Sequence, residues 1–172
     1  MNEIEIFGNF SGLMINRNKT EGLWIGKLKH SKDKEENIKW TNKPIKSLGI
    51  YYGHDYIECE KLNWEINIEK KNNLFLSWSK RNLSMLGKVL IIKAMIKPMC
   101  TFIVSSCVIP EKYKKDIDSK CFKFIWNVKP ETVKRNTLIG DVEKGGLKMI
   151  DIDSYFISLK VSWISRLTDS KF

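Results

Sequence analysis

The side chains that could support catalysis in this sequence are few, and their spacing does not match a catalytic site. Two aspartate pairs occur, Asp116/Asp118 and Asp151/Asp153. Paired carboxylates are what metal-assisted and acid–base chemistry require. The first pair falls in a predicted helix, where a two-residue spacing points the side chains apart. The second stands at a predicted helix start, where capping accounts for it. Neither pair predicts a catalytic dyad.

Histidine, cysteine and glycine patterns do not indicate a site either. His54-Asp55 has no serine or cysteine motif beside it, so we interpret the pair as a solvated turn. The four cysteines lie 41, 7 and 14 positions apart, which fits no zinc motif. Gly145-Gly146 follows Lys144 but lacks the rest of a phosphate-binding loop. The sequence therefore predicts neither a metal nor a cofactor in this chain.

Positive charge is the property that does suggest a ligand. The 172 residues contain 30 Lys+Arg and 20 Asp+Glu, which gives a formal net charge of +10. Of the basic residues 26 are lysine and 4 are arginine, and lysine attracts phosphate as a point charge rather than reading base edges through paired bonds. With 42% apolar residues the composition is that of a globular protein with one sizeable core. We expect any nucleic-acid binding to be largely independent of base sequence.

Hydrophobic periodicity predicts an α+β chain with short strands first and helices later. A short helix is expected around Ile4 to Phe10, and strand-like runs cover 13–15, 22–28 and 45–52. The charged run His30 to Lys39 reads as a solvated loop. From Lys61 to Lys80 the apolar residues follow a helical spacing with interruptions, which predicts a helix there. Thr137 to Ile139 is predicted as a short strand, and a last helix from about residue 152 has Asp153 or Ser154 as its predicted cap.

The most apolar segment begins at Ser84, a predicted helix cap, and continues to about Cys107. Residues 89 to 109 are long enough to span a membrane. However, Lys93 and Lys97 fall near the middle, each costing about 2.5 to 3.5 kcal/mol on insertion scales, and Pro98 follows. We therefore favour a buried central helix over a membrane span.

The next predicted helix, from Pro110 to Trp126, has one apolar and one basic face. Its apolar face is formed by Tyr113, Ile117, Cys121 and Phe124. At 100° per residue, three lysines lie within about 80° of one another on the helix surface, with Lys120 beyond them; the three are Lys112, Lys115 and Lys123.

The residues after Met1 lack a basic start and an apolar stretch, so we expect an intracellular protein, cytoplasmic or nuclear and not secreted.

Short segments spread over residues 4 to 169 share their order with one family. Phe10-Ser-Gly-Leu-Met-Ile-Asn16, Lys19-Thr20 and Leu48-Gly-Ile50 resemble the stretch after the catalytic hairpin in reverse transcriptases of LINE-type, non-LTR retrotransposons. Trp78-x-x-Arg81-x-Leu83-Ser84-x-x-Gly87-Lys88 is similar to that family's thumb signature. The segments that resemble the following region are Phe124-Ile-Trp126, Lys134-Arg135, Lys144-Gly-Gly-Leu147 and Trp163-Ile164.

The resemblance implies three domains: the C-terminal part of the polymerase palm over 1–57, a helical thumb over 58–127, and the start of the post-thumb region over 128–172. In the family, the metal-binding aspartates lie in a Tyr/Phe-x-Asp-Asp hairpin before the Ser-Gly-Leu segment, and this chain begins after that point. The intact parent uses Mg²⁺ held by those carboxylates. This chain alone is therefore predicted to be inactive as an RNA-directed DNA polymerase.

The resemblance also implies roles for individual residues. Lys19 matches a lysine that serves the departing pyrophosphate in an intact parent, and a hairpin that grips the primer end matches Leu48, Gly49, Ile50 and Tyr51. The alternative reading is a surface lysine and an ordinary core strand. The predicted phosphate contacts to an RNA template and DNA primer are Arg81, Lys88, Lys112, Lys115 and Lys123. The alternative function is an inert or domesticated remnant that acts as a protein-interaction module and self-associates through exposed apolar surface.

Overall fold

The computed structural model describes residues 2–28 and 38–168, and it has the α+β organisation that the sequence predicts. The chain divides into two compact units, Met1–Asn63 and Trp64–Phe172, with the division inside a long helix. The predicted palm–thumb boundary, after residue 57, lies near the start of the same helix. The described elements are α1 (Asn2–Ser11), β1 (Glu21–Gly22), β2 (Lys39–Trp40), β3 (Ile45–Ser47), β4 (Ile50–Tyr52), α2 (Tyr56–Ser79), α3 (Met85–Ile91), a π-helical segment (Ile92–Ile96), α4 (Lys97–Ser106), α5 (Glu111–Ile125), α6 (Arg135–Ile139) and α7 (Ile152–Thr168).

The first unit contains two very small sheets. β1 and β2 pair in parallel, and the Trp24 and Trp40 rings stack at 4.9 Å beside them. A Cβ at Gly22 would come within 2.7 Å of the Trp40 ring, so glycine is required there. The run predicted as strand-like over 45–52 is an antiparallel hairpin of β3 and β4, with a turn at Leu48-Gly49. The predicted strand over 13–15 does not form, and the predicted 22–28 strand ends as a 3₁₀ turn at Gly26–Leu28. His30 and most of the charged run to Lys39 lie outside the described residues.

α2 is longer and more continuous than the sequence suggests. Asp55 caps its first turn, because one carboxylate oxygen accepts the backbone N–H groups of Ile57 and Glu58 at 2.9 and 3.0 Å. His54 Nδ1 lies 3.1 Å from the carbonyl oxygen of Trp24. The His54-Asp55 pair is thus part of a turn, as its sequence context indicated, and the structure adds that Asp55 caps α2. From there α2 runs for 24 residues, and its apolar positions are too irregular for the full length to be read from periodicity.

The central helical run of the second unit starts at the predicted cap. Ser84 Oγ accepts the backbone N–H of Gly87 at 3.1 Å. The π-helical segment ends two residues before Pro98, whose missing N–H and bulky ring are incompatible with a regular turn onto the carbonyl of Ala94. The buried face of this run consists of Val89, Ile92, Ile96, Cys100, Ile103 and Val104. By length and composition alone Met85–Ser106, with a mean hydropathy of 1.6, passes as a candidate membrane span, and a third of that stretch is buried inside the protein.

The remaining helices pack against this run and correct two predictions. α5 follows Pro110, as expected. Residues 137–139 belong to the one-turn helix α6 rather than to a strand, and the Leu138 backbone there accepts from both Leu147 and Met149. α7 is capped by Asp151 instead of Asp153 or Ser154, because Asp151 accepts from the backbone of Asp153 and from the Ser154 hydroxyl. The helical turn of α6 is formed by the Thr137 and Leu138 N–H groups, which donate to the Lys134 carbonyl.

Candidate nucleic-acid interface

α5 separates an apolar face from a cationic one, as its periodicity predicted. Tyr113, Ile117, Cys121 and Phe124 are all buried in the hydrophobic core of the second unit. On the opposite side the predicted lysines are exposed; they are Lys112, Lys115 and Lys123. Because the buried face holds the helix rigidly, the three ammonium groups project from a fixed support, which is what contacts to a phosphate backbone require.

The surroundings of these three lysines differ. Lys112 lies over the Tyr113 ring at 4.5 Å and lines a groove between α2 and α5 that also contains Glu65, Glu69 and Asp116. Lys115 borders a different pocket, on the other flank of α5, and its Nζ lies 3.8 Å from a carboxylate oxygen of Glu111. Carboxylates therefore offset much of the positive charge at the N-terminal end of the predicted stripe.

Asp116 also lies within the stripe, which the sequence reasoning overlooked. It is 40° from Lys112 around the helix at 100° per residue. Its carboxylate pairs with Lys120 at 2.6 Å, so part of the charge of Lys120 is neutralised within α5. A helical-wheel projection that included the acidic residues would have found this pair. Lys123 differs from Lys120, since no described acidic side chain lies within ion-pair distance of Lys123.

The C-terminal ends of α2 and α5 enclose a second opening, which we call the C-terminal groove. It has a volume of about 380 Å³, and among the described residues its lining includes no carboxylate. Polar and cationic groups at its rim surround an apolar floor. The lining residues are Asn72, Phe75, Leu76, Ser79, Lys120, Lys123, Phe124, Asn127 and Val128.

Lys88, a predicted phosphate contact, is buried and its ammonium is used inside the protein. Only 4% of the residue is exposed. Its Nζ donates to the carbonyl of Ile125 at 3.0 Å and to Asn127 Oδ1 at 2.6 Å, at the C-terminal end of α5. Burial lowers the pKa of this lysine. The structure therefore corrects the sequence-based assignment: Lys88 stabilises the end of α5 and is not placed to contact a phosphate.

Arg81 is exposed just after α2, as a backbone contact would require. Its guanidinium lies 4.3 Å from the centre of the Trp78 ring, a cation–π contact that limits its freedom. It follows Ser79, a lining residue of the C-terminal groove, by two positions. Arg81 and Lys123 are thus the predicted contacts that the structure associates with the ends of α2 and α5.

The predicted primer-gripping residues form the turn of the β3–β4 hairpin and its second strand. Leu48 and Gly49 make the two-residue turn with φ values of +49° and +85°, and Leu48 is 89% exposed. Ile50 is buried, and the Tyr51 backbone is held through both its N–H and its carbonyl by the Asn63 side chain, at 2.8 and 2.9 Å. The hairpin is therefore rigid at its base and presents an exposed apolar tip.

Lys19 is placed as an exposed residue in the 3₁₀ turn Arg17–Lys19. This position agrees with the plain reading of a surface lysine and does not test the role that the family resemblance implies. Nearby, Arg17 pairs with Glu5 of α1 at 2.6 Å. The turn is thus tied to α1 by Arg17 rather than by Lys19.

An arginine-centred network that the sequence did not reveal lies on the far flank of α5. Arg135 pairs with Asp118 at 2.6 Å and with Glu131 at 2.5 Å. Burial raises the pKa of Asp118 despite the neighbouring guanidinium, whereas the hydrogen bond from Arg135 lowers the pKa of Glu131. The Asp118 and Asp116 side chains therefore serve different partners, as their two-residue spacing implied. Within residues 2–28 and 38–168, no group of three or more His, Cys, Asp or Glu side chains could hold a metal ion.

Charge is distributed unequally along the sequence. Residues 64–172 hold 20 Lys and Arg against 11 Asp and Glu, a net charge of +9, whereas residues 1–63 are nearly neutral at +1. No protein-family model matches the chain. The arrangement of the second unit, with cations projecting from a rigid helix and a groove that lacks described carboxylates, is suited to an anionic ligand.

Proposed function

We propose that this chain is a palm-edge and thumb fragment of a non-LTR retrotransposon reverse transcriptase. We further propose that its second unit, Trp64–Phe172, which we call the helical unit, binds the sugar-phosphate backbone of the template–primer. The assignment to this family is supported by the short sequence segments described above, which occur along the chain in the same order as in the family. The binding part is supported by the position of the positive charge. In this proposal the helical unit contributes the holding of nucleic acid, which is distinct from the Mg²⁺-dependent chemistry of the parent family.

The observation that carries the binding proposal is the division of α5 into a buried face and an exposed lysine face. Lysine ammonium groups release counterions from the phosphates that they contact, and this gives affinity without base reading. Lys123 and Arg81 contribute most in this proposal, since carboxylates surround Lys112 and Lys115. The expected affinity is that of non-specific contacts, with a Kd of about 10⁻⁴ to 10⁻⁶ M at physiological salt.

The salt dependence of binding tests the proposal. Contacts with about 3 to 5 phosphates give a slope of log K against log salt of about −3 to −4.5 on duplex. Replacing Lys112, Lys115 and Lys123 together by Gln is expected to flatten that slope by about 1 to 2 units, mostly through Lys123, and equally for all sequences. We expect the mutant to remain folded, because these side chains are exposed.

A matched control separates local contacts from net charge. Lys134, Lys144 and Lys148 are exposed lysines on other segments, and their triple Gln variant loses the same charge. We expect its slope to stay close to that of the parent chain. Equal flattening in both variants would mean that α5 is not the binding surface. Failure of the parent chain to bind any nucleic acid at low salt would reject the proposed function.

A second candidate function, a protein-interaction module, is favoured by the outer face of α7. Ile157, Val161 and Ile164 are exposed at the i, i+4 and i+7 positions of one helical face. Rows of exposed apolar side chains promote association. Sedimentation of the parent chain and of the Val161→Asp variant tests this candidate: it predicts association that the aspartate abolishes, while the nucleic-acid proposal predicts a monomer that binds oligonucleotides.

A further inference from the structure

We infer that the C-terminal groove binds one unpaired nucleotide, with its base against the apolar floor and its phosphate at Lys123. The inference rests on the proposed function, because it assigns a substrate class to the same cationic end of α2 and α5. It adds a contact that backbone binding does not require: a base that has left the stack. The helical unit would then prefer single-stranded segments or strand ends over uninterrupted duplex.

The floor and wall of the groove are suited to the flat face of a base. The Phe75 and Phe124 rings contact each other with centroids 5.1 Å apart and planes tilted by 46°. Leu76 and Val128 extend the apolar wall, and they are 62% and 81% exposed. The volume of about 380 Å³ falls within the range of about 300–1,000 Å³ typical of small-ligand pockets.

The polar atoms at the rim favour a ligand rich in acceptors. Lys88 donates to Asn127 Oδ1, which leaves the Nδ2 group of Asn127, a donor only, for other partners. Lys123 adds three N–H donors and a positive charge. With no carboxylate among the described lining residues, the rim complements a phosphate and the carbonyl and ring-nitrogen acceptors of a base.

The backbone at the end of the groove adopts an unfavourable conformation that places an apolar side chain there. Asn127 and Val128 have φ values of +51° and +64°. A β-branched residue is rarely found in this region, and such strain is typical of functional positions. The turn is held by the bond from the Val128 N–H to the Lys123 carbonyl, at 2.8 Å. Val128 therefore forms part of the wall at a cost that packing does not explain, since its side chain is largely exposed.

The charges along and beside the groove favour a nucleotide over an acidic protein segment. An acidic helix would have to continue along the space between α2 and α5, where Glu65, Glu69 and Asp116 line the neighbouring opening and would repel it. A single nucleotide would occupy only the C-terminal groove, whose described lining residues include no carboxylate. Charge complementarity thus selects a compact anionic ligand.

Comparison of two oligonucleotides with the same phosphates tests the inference. Fluorescence anisotropy would measure binding of a short single-stranded oligothymidylate and of an abasic strand of equal length. Stacking of one base on aromatic side chains predicts that the oligothymidylate binds about 5-fold tighter or more. Equal affinities would overturn the inference while leaving backbone binding intact, and failure of both strands to bind would reject both.

Variants of the groove wall locate the base contact. In the Leu76→Ala and Val128→Gly variants, the affinity for the oligothymidylate is expected to approach the affinity for the abasic strand, so that the ratio of the two falls toward one. Val128→Gly relieves the left-handed strain, so misfolding does not explain its loss. Val108→Gly is the matched control, because Val108 is an exposed valine outside the groove, and its ratio should equal that of the parent. A base preference that survives both wall variants, or binding of an acidic amphipathic peptide instead of the strands, would overturn the assignment.

Discussion

Replacing the buried Lys71 by methionine is expected to stabilise the helical unit, although it removes a charge from a basic protein. Lys71 lies in α2 and is 2% exposed. Its ammonium donates to the carbonyl of Asn67, one turn earlier in the same helix, at a long 3.3 Å. Burial lowers the pKa of this lysine, and the nearby Cys100 and Cys121 oppose that shift only in part. Methionine has a similar length and carries no charge to desolvate.

The expected gain follows from what the ammonium loses on folding. Replacement of buried ionic groups by well-packed apolar residues is often stabilising by about 1 to 4 kcal/mol. Lys71 is enclosed among core side chains with a weak hydrogen bond to compensate, so we expect a gain of about 1 to 3 kcal/mol in the free energy of unfolding. The pKa of Lys71 is below its ordinary value of 10.5 in the native state. At pH values between the native pKa and 10.5, the unfolded chain therefore holds the proton of Lys71 more tightly than the native protein does.

The pH dependence of this gain has a defined sign. Stability of the parent chain rises with pH through the interval between the native pKa of Lys71 and 10.5. The advantage of Lys71→Met is therefore complete below the native pKa and shrinks as the pH rises toward 10.5. An advantage that grew with pH over this interval would contradict the assignment of the cost to desolvation.

Lys88→Met is the matched comparison, and the opposite sign is expected. Lys88 is also buried with a lowered pKa, but its ammonium satisfies the Ile125 carbonyl and Asn127. Hydrogen bonds from charged groups contribute about 1.5 to 3 kcal/mol, and methionine leaves both acceptors without this donor. We expect a net loss of about 1 to 3 kcal/mol after the relieved desolvation is included. Urea denaturation of the three proteins measures both effects, and destabilisation by Lys71→Met as large as that by Lys88→Met would refute the reasoning.

Three further outcomes are expected. Val128→Gly should raise the free energy of unfolding by about 1 kcal/mol, because glycine adopts a φ of +64° without the cost of a branched side chain; a lower urea midpoint would contradict this. Asp55→Ala should lower it by about 1 kcal/mol through loss of the α2 cap, whereas Asp55→Asn, which keeps an acceptor oxygen, should lose less in the same assay. The isolated chain should extend no primer on RNA or DNA templates with Mg²⁺ or Mn²⁺, and extension above a mock preparation would contradict the fragment proposal.

Local patterns in the sequence were sufficient for features that depend on neighbouring residues. The Ser84 cap and the two faces of α5 were predicted correctly, because capping and a 3.6-residue period are local properties. The apolar run over 45–52 was recognised as extended chain, but its residues alone did not indicate the turn at Leu48-Gly49 that divides it into two strands. The short helix α6 was predicted wrongly as a strand, since three apolar or β-branched residues give no sign of the turn that closes onto the Lys134 carbonyl.

Tertiary structure alone decided which charged side chains are available to a ligand. Lys88 and Lys123 are equally basic in the sequence, yet Lys88 reaches backbone 37 residues away and is buried, while Lys123 remains exposed. Lys71 likewise lies within an irregular apolar pattern that gives no sign of its burial. The C-terminal groove exists only because the ends of α2 and α5 lie side by side. Periodicity shows which face of a helix is apolar, but it does not show which other helix packs beside that face. Contacts between distant segments decide this packing, and they therefore decide how strongly each charged side chain is desolvated and whether it can reach a ligand.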